Sequence, residues 1–293
     1  MGPKDGVLLV AHGTVSDLDD LPAFVARIRR GRPAPPGLVE ELRHRYEVIG
    51  GSPLLDLTKA QAQGLSERLA APVLVGMRLW QPGVEEVVRA AVSLGLQRLC
   101  VIPLAPFSVH VYAQAADEAL ERVRPELKDA TPSFVHVDAW GQEPAFVKAH
   151  VESIARRVAP GTRVVLTAHS LPRRAITAGD PYEAQFRACA EAVGKQLDAP
   201  WEIAFQSQGA DGGDWLGPDI LQVLERLAGE GVRRAVVAPI GFLAEHVETL
   251  FDLDVEAKAH ADRLGVELVR VPALNTAPGL LEALEAVTRR ALS

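Results

Sequence analysis

HVETLFDLDVEA, residues 246–257, gathers an imidazole and four carboxylates into one short stretch. In a helix, Glu248, Asp252 and Glu256 recur every fourth residue and share one face. The first lysine or arginine beyond them is Lys258, so the row carries a mutual repulsion that a divalent cation would relieve. Leu250, Leu253 and Val255 on flanking positions wedge such a helix into the fold; a solvated acidic face is the alternative. Oxygen ligands beside an imidazole suit iron(II), manganese or magnesium better than a thiolate-seeking metal. Two further histidines close apolar runs: His169 in VVLTAHSLP (164–172) and His12 in VLLVAHGTV (7–15). Each reads either as a packed structural histidine or as a neutral base or metal ligand at a strand end. IRRGRP (28–33) and RHRYEV (43–48) add Arg29, Arg30, Arg32, Arg43 and Arg45. They form either a solvated basic face or a set of guanidinium forks for a ligand bearing several carboxylates.

The elements that must hold these groups are legible as short Val-, Leu- and Ile-rich runs alternating with amphipathic stretches. Strands are predicted at 7–12, 73–77, 99–104, 133–138, 163–168, 202–206, 234–239 and 266–271. Helical patterns lie between most of them, as in 85–95, 219–231 and 279–292, the last with Leu280, Leu281, Leu284 and Val287 on one face. Such alternation predicts an α/β protein with parallel sheets flanked by helices. Helical patterns also fill 17–70 without an intervening strand, an insertion that would form a lid over the sheet's edge. The chain repeats itself: 99–115 lines up with 235–251, matching Pro103 with Pro239, His110 with His246 and Tyr112 with Glu248. Trp80-Gln81-Pro82 is echoed by Trp215-Leu-Gly-Pro218. Two similar Rossmann-like lobes, 6–141 and 142–293, follow, each with a four-stranded sheet and with a ligand cleft at the strands' carboxyl ends.

Several classes are excluded. A net charge of −7 argues against nucleic acid as a partner. Cys100 and Cys189, the only cysteines, support neither a disulfide framework nor a cysteine metal cluster, and a reducing, cytoplasmic location is expected. MGPKDG lacks the shape of a secretion signal, and no apolar run reaches the ~20 residues of a membrane span. A serine hydrolase would want G-x-S-x-G, which is absent. A nucleotide site would want a P-loop or dinucleotide fingerprint, and the glycines of GADGGDWLG (209–217) have the wrong spacing.

Taken in order, IRRGRP, RYEVIGGSPLL, LTKAQAQ, VGMRLWQP, APFSVHVY, AHSLP, GDPYEAQ, WLGPD, PIGFLAEHVETLFDLDVE and VPALNTAP resemble the ferrochelatase family over nearly the whole chain. The resemblance implies the two-lobed chelatase-like fold, with the porphyrin cleft between the lobes, and insertion of iron(II) into a porphyrin. The short form is most similar to the bacterial members that act on coproporphyrin III; protoporphyrin IX is the alternative substrate. It implies that His169 and Glu248 are catalytic and that both, with Asp252 and Glu256, handle the metal. Porphyrin contacts fall on His12, Arg29, Arg30, Arg45, Ser52, Tyr112 and His246. Where relatives usually have A-Y-G-T, this chain has Ala11-His12-Gly13-Thr14, which makes His12 a candidate axial ligand. The cysteines that carry an iron–sulfur cluster in some relatives are absent, so iron(II) is expected as substrate and no permanent cofactor. A monomer is implied. Two distant readings stay open: a sirohydrochlorin or cobalt chelatase, and a non-catalytic heme carrier.

Overall fold

The computed structural model describes residues 2–209 and 213–293; residues 210–212, inside the glycine-rich stretch noted above, lie outside them. Each expected strand is present, with its ends displaced by at most two residues. In chain order the elements are β1 (Asp5–Ala11), α1 (Leu21–Ile28), α2 (Leu38–Ile49), α3 (Leu54–Leu69), β2 (Val73–Met77), α4 (Val84–Ser93), β3 (Arg98–Pro103), α5 (His110–Leu127) and β4 (Ser133–His136). The second half holds α6 (Pro144–Ala155), β5 (Thr162–His169), α7 (Arg173–Thr177), α8 (Tyr182–Gly194), β6 (Trp201–Gln206), α9 (Ile220–Gly229) and β7 (Arg234–Ala238). It ends with α10 (Val247–Leu250), a π-helical segment (Asp252–Ala257), α11 (Lys258–Arg263), β8 (Glu267–Arg270) and α12 (Pro278–Ala291).

Among the described residues the strands form two four-stranded sheets, ordered β2-β1-β3-β4 and β6-β5-β7-β8, with every pairing parallel. β1 is buried along its whole length, as a central strand covered on both faces must be. The internal repeat is thus a repeat of topology. It extends to detail: the Met77 N–H donates to the Pro82 carbonyl (2.7 Å) and the Phe205 N–H to that of Pro218 (2.8 Å). The two Trp…Pro echoes are the same turn, each leading from a second strand into the next helix.

The helices between β1 and β2 divide into two kinds. α1 and α2 stand over the sheet's end and bury Leu21, Phe24 and Tyr46 against Val15. α3 runs back along the sheet, burying Thr58, Gln61, Ala62, Leu65 and Leu69, and is the crossover that parallel pairing of β1 and β2 requires. The lobes share one apolar core, which runs from Val7, Leu9 and Ile102 to Phe186, Phe205 and Leu284. α12 packs between α3 and α6 and ties the halves together. Gly64 of α3 permits that approach, since a Cβ there would stand 2.7 Å from Leu281 Cδ1. No helix among the described residues is long and apolar enough to cross a membrane.

Candidate active site

The carboxyl ends of both sheets open onto one cleft of ≈ 470 Å³. Its walls are largely apolar, with Leu54, Leu104, Val111, Phe242 and Leu243 among them, and a few polar side chains converge inside.

His169 is the last residue of β5 and stands beside Gln206, the last of β6. Glu248 reaches it from α10, with Oε2 3.0 Å from His169 Nδ1 and 3.6 Å from His246 Nε2. One carboxylate therefore lies between two imidazoles. Gln206 fixes the arrangement from beneath: its Nε2 donates to the Glu248 carbonyl (2.9 Å) and its Oε1 accepts the Thr167 hydroxyl (2.7 Å). Both supports are fully buried, so the bonds are shielded from water. Ser170 is used structurally. Its hydroxyl donates to the Leu216 carbonyl (2.8 Å), which removes it as a nucleophile.

Burial works against both charged forms of the pair, but their mutual attraction outweighs it. Glu248 is held well below the usual carboxylate range by His169 and His246, and His169 is raised by Glu248 with a smaller push from Asp252. The carboxylate beside Nδ1 orients the His169 ring and stabilises the charge of a proton that arrives on it. His12, one residue past β1, lines the cleft from the other lobe. Desolvation, aided by Arg78, His246 and His169, pushes its imidazole down to about 4, against the opposing pull of Glu248. It faces the cleft as a neutral imidazole.

The structure brings His12, Arg30, Tyr112, His169, His246 and Glu248 to one cavity. Arg29 and Ser52 stand off it: Arg29 Nε donates to the Pro33 carbonyl (2.9 Å), and the Ser52 hydroxyl accepts weakly from the Leu54 N–H (3.4 Å). Asp252 and Glu256 also lie outside the cleft lining. The expectation that no cation pairs the acidic row fails, because Arg45 arrives from α2. Its guanidinium donates to Asp252 (2.8 Å) and Glu41 (2.7 Å) and lies 3.7 Å from Glu256. Arg45 is thus held on the acids rather than at the cleft. Asp252 is also bonded by the Ser207 hydroxyl. Burial still raises its carboxyl to about 7, with Glu248 and Glu256 adding to the effect and Ser207 and Arg45 opposing it. Among the described residues no three His, Cys, Asp or Glu side chains close around a cation position; the acids form a row leading away from the cleft. The row's helix also differs from expectation. It widens into a π-helix, with the Glu256 N–H donating to the Phe251 carbonyl (3.0 Å), and this register turns Val255 outward while Phe251, Leu253 and Ala257 face inward.

Sequence reasoning missed Arg78 and Tyr182. Arg78 directly follows β2, the strand-end position that singled out His12, and its guanidinium lies over the Tyr112 ring at 5.3 Å. Tyr182 opens α8 after Gly-Asp-Pro and packs edge-on against Phe107.

The Ferrochelatase family profile matches residues 4–292. The chain belongs to the ferrochelatase family. It is 34% identical to the ferrochelatase of Acidobacterium capsulatum over all of this chain and 96% of that protein. It is 36% identical to that of Deinococcus radiodurans, over 97% and 95%. The coproporphyrin III ferrochelatase of Geobacillus thermodenitrificans is 33% identical over 98% and 96%. Among solved structures, SirB from Bacillus subtilis with Fe3+ superposes with a TM-score of 0.64 at 16% identity, covering 98% of this chain and 95% of that one. This likeness is one of fold. Family membership makes the chain a metal chelatase of the lyase class, acting with iron in porphyrin and heme biosynthesis.

Proposed function

We propose that this ferrochelatase inserts iron(II) into coproporphyrin III, releasing coproheme and two protons. The observation that carries the reading is the His169–Glu248 pair, 3.0 Å apart on the wall of an apolar cleft with Arg30 and Arg78 at its edges. Metalation requires two pyrrole N–H protons to leave and the hydrated iron to shed water. A cleft that binds the ring bent exposes the nitrogen lone pairs and lowers that barrier. His169, with Glu248 stabilising the imidazolium that forms, takes each proton on one face of the ring and passes it to solvent. Asp252 and Glu256 hand iron toward them, with Arg45 giving up its bonds as the cation arrives. His12 meets the ring or its metal from the other face, beside Tyr112, and His246 backs Glu248. Ring propionates fall to Arg30 and Arg78, with Arg29 and Ser52 flanking that mouth. Relatives named coproporphyrin III ferrochelatase match almost the entire chain and favour the four-propionate substrate. Anaerobic iron insertion into coproporphyrin III, protoporphyrin IX and sirohydrochlorin, compared at equal concentration, tests the choice. A kcat/KM for coproporphyrin III at least roughly tenfold above the others is expected; a preference for either competitor contradicts it.

A further inference from the structure

Gln61 is a fully buried amide in α3 of the N-terminal lobe, yet its hydrogen bonds leave that lobe. Nε2 donates to the main-chain oxygen of Asn275 (2.7 Å) and, more weakly, to that of Leu243 (3.5 Å). These residues lie on the loops that follow β8 and β7. Two carbonyls facing one NH2 group fix the amide's orientation, because a flipped amide would set oxygen against oxygen. Oε1 is buried without a hydrogen-bond partner among the described residues. An unpaired acceptor carries an uncompensated desolvation cost that an apolar side chain of equal length would avoid. Gln61 also lines the cleft, but every hydrogen bond it makes within the protein comes from its donor end.

That end starts a chain of buried bonds leading to the catalytic turn. Asn275 has φ +50°, a left-handed conformation that asparagine tolerates better than most residues. Its N–H donates to the Leu243 carbonyl (2.8 Å) and its Oδ1 accepts the Glu245 N–H (2.9 Å). Glu245 is buried; its Oε1 accepts from the Ala273 N–H (2.9 Å) and from Arg270 (2.6 Å), and its Oε2 accepts the Thr249 hydroxyl (2.6 Å). Thr249 Oγ1 in turn accepts the His246 N–H (3.0 Å). Glu248 lies between the two residues this last bond joins.

We propose that Gln61 is a cross-lobe positioning residue for iron insertion. It pins the loops after β7 and β8 and, through Asn275 and Glu245, sets where His246 and Glu248 stand relative to His169. The inference rests on the reading that the His169–Glu248 pair carries the chemistry. α10 is the first turn of the helix that runs on through Arg263, entered directly from the loop after β7, and a displacement of about 1 Å there is enough to cost on the order of 100-fold in rate.

The test is a set of variants carried through steady-state iron insertion, porphyrin binding by fluorescence quenching, and thermal melting. Gln61→Met keeps the length and apolar fit but removes the donor. Asn275→Asp keeps the Oδ1 acceptor and tolerates the left-handed conformation; Asn275→Gly keeps the conformation and loses the acceptor. Gln61→Met and Asn275→Gly are expected to lower kcat by roughly 10- to 100-fold with the porphyrin KM within about threefold, while Asn275→Asp recovers most of the rate. The double variant Gln61→Met with Asn275→Gly should lose little more than the worse single, as links of one chain do. A Gln61→Met kcat within about twofold of the parent, equal losses for the two Asn275 variants, or multiplicative losses in the double variant would overturn the proposal. If Gln61→Met fails to fold, the contrast between the two Asn275 variants decides alone. His169→Ala separates the two failures: its retaining turnover defeats the site reading, whereas an inactive His169→Ala beside an unimpaired Gln61→Met defeats only the cross-lobe link.

Discussion

His12 and His169 close corresponding strands but are shifted in opposite directions. His169 has a carboxylate 3.0 Å away and is raised, whereas burial, with a smaller push from Arg78, drives His12 down to about 4 against the pull of the more distant Glu248. A neutral imidazole offers a lone pair to iron in the product, so His12→Tyr should replace nitrogen ligation with oxygen ligation. The visible spectrum of bound product and its off-rate both report the change; if neither moves, His12 does not ligate. The cleft-lining histidines were legible because a polar residue closing an apolar strand stands out. Glu248 was legible as the head of an acidic run. Arg78 occupies an equivalent strand end, but its type reads as surface, and only its placement over Tyr112 shows that it belongs inside.

At the scale of elements, strands were readable because parallel, doubly covered strands are continuous apolar runs. The acidic row was readable as a row but not as a paired one. Arg45 and Asp252 are 207 residues apart, beyond any local spacing rule. The π-helix was hidden too, since its i→i+5 register leaves no composition signal, and Val255 was misplaced for that reason. Helix propensity makes a further local statement that packing reverses. Gly194 lies in α8, where Gly→Ala would ordinarily add about 1 kcal/mol of stability. A Cβ there would stand 2.1 Å from Trp201 Cε2, within the body of the indole rather than at the end of a flexible chain. Gly194→Ala should therefore destabilise by about 1–3 kcal/mol, as overpacked sites do. A urea midpoint that rises instead would show that Trp201 yields freely.

At the scale of the molecule, the duplication was legible from two matched motifs in one order. The docking of α12 across the N-terminal lobe was not, because an apolar helix face carries no local signal of which lobe it meets. The tie is concrete. Arg98 at the start of β3 donates to Asp5 at the start of β1 (2.8 and 2.9 Å) and reaches the Leu292 carbonyl beyond α12 (3.4 Å). Chiefly through the hydrogen bond from Arg98, the Asp5 carboxyl is lowered to about 2. A carboxyl depressed in the folded state stabilises above its unfolded pKa and loses that contribution as pH falls through the folded value. The stability gap between the parent and Asp5→Asn should thus be constant from neutrality to about pH 4 and shrink toward pH 2. Denaturant midpoints across that range measure it; a gap that does not change with pH would remove Asp5 from the tie.

All scales meet in one claim: two lobes of one design close on a porphyrin so that the His169–Glu248 pair can strip its protons while iron enters. The most direct measurement is anaerobic iron(II) insertion into coproporphyrin III by the parent and His169→Ala, with porphyrin binding followed in parallel. The account predicts that His169→Ala binds porphyrin within about threefold of the parent while its insertion rate falls by roughly two to four orders of magnitude, the range expected for loss of a positioned proton acceptor. Turnover near the parent's in His169→Ala, with porphyrin bound normally, would contradict it.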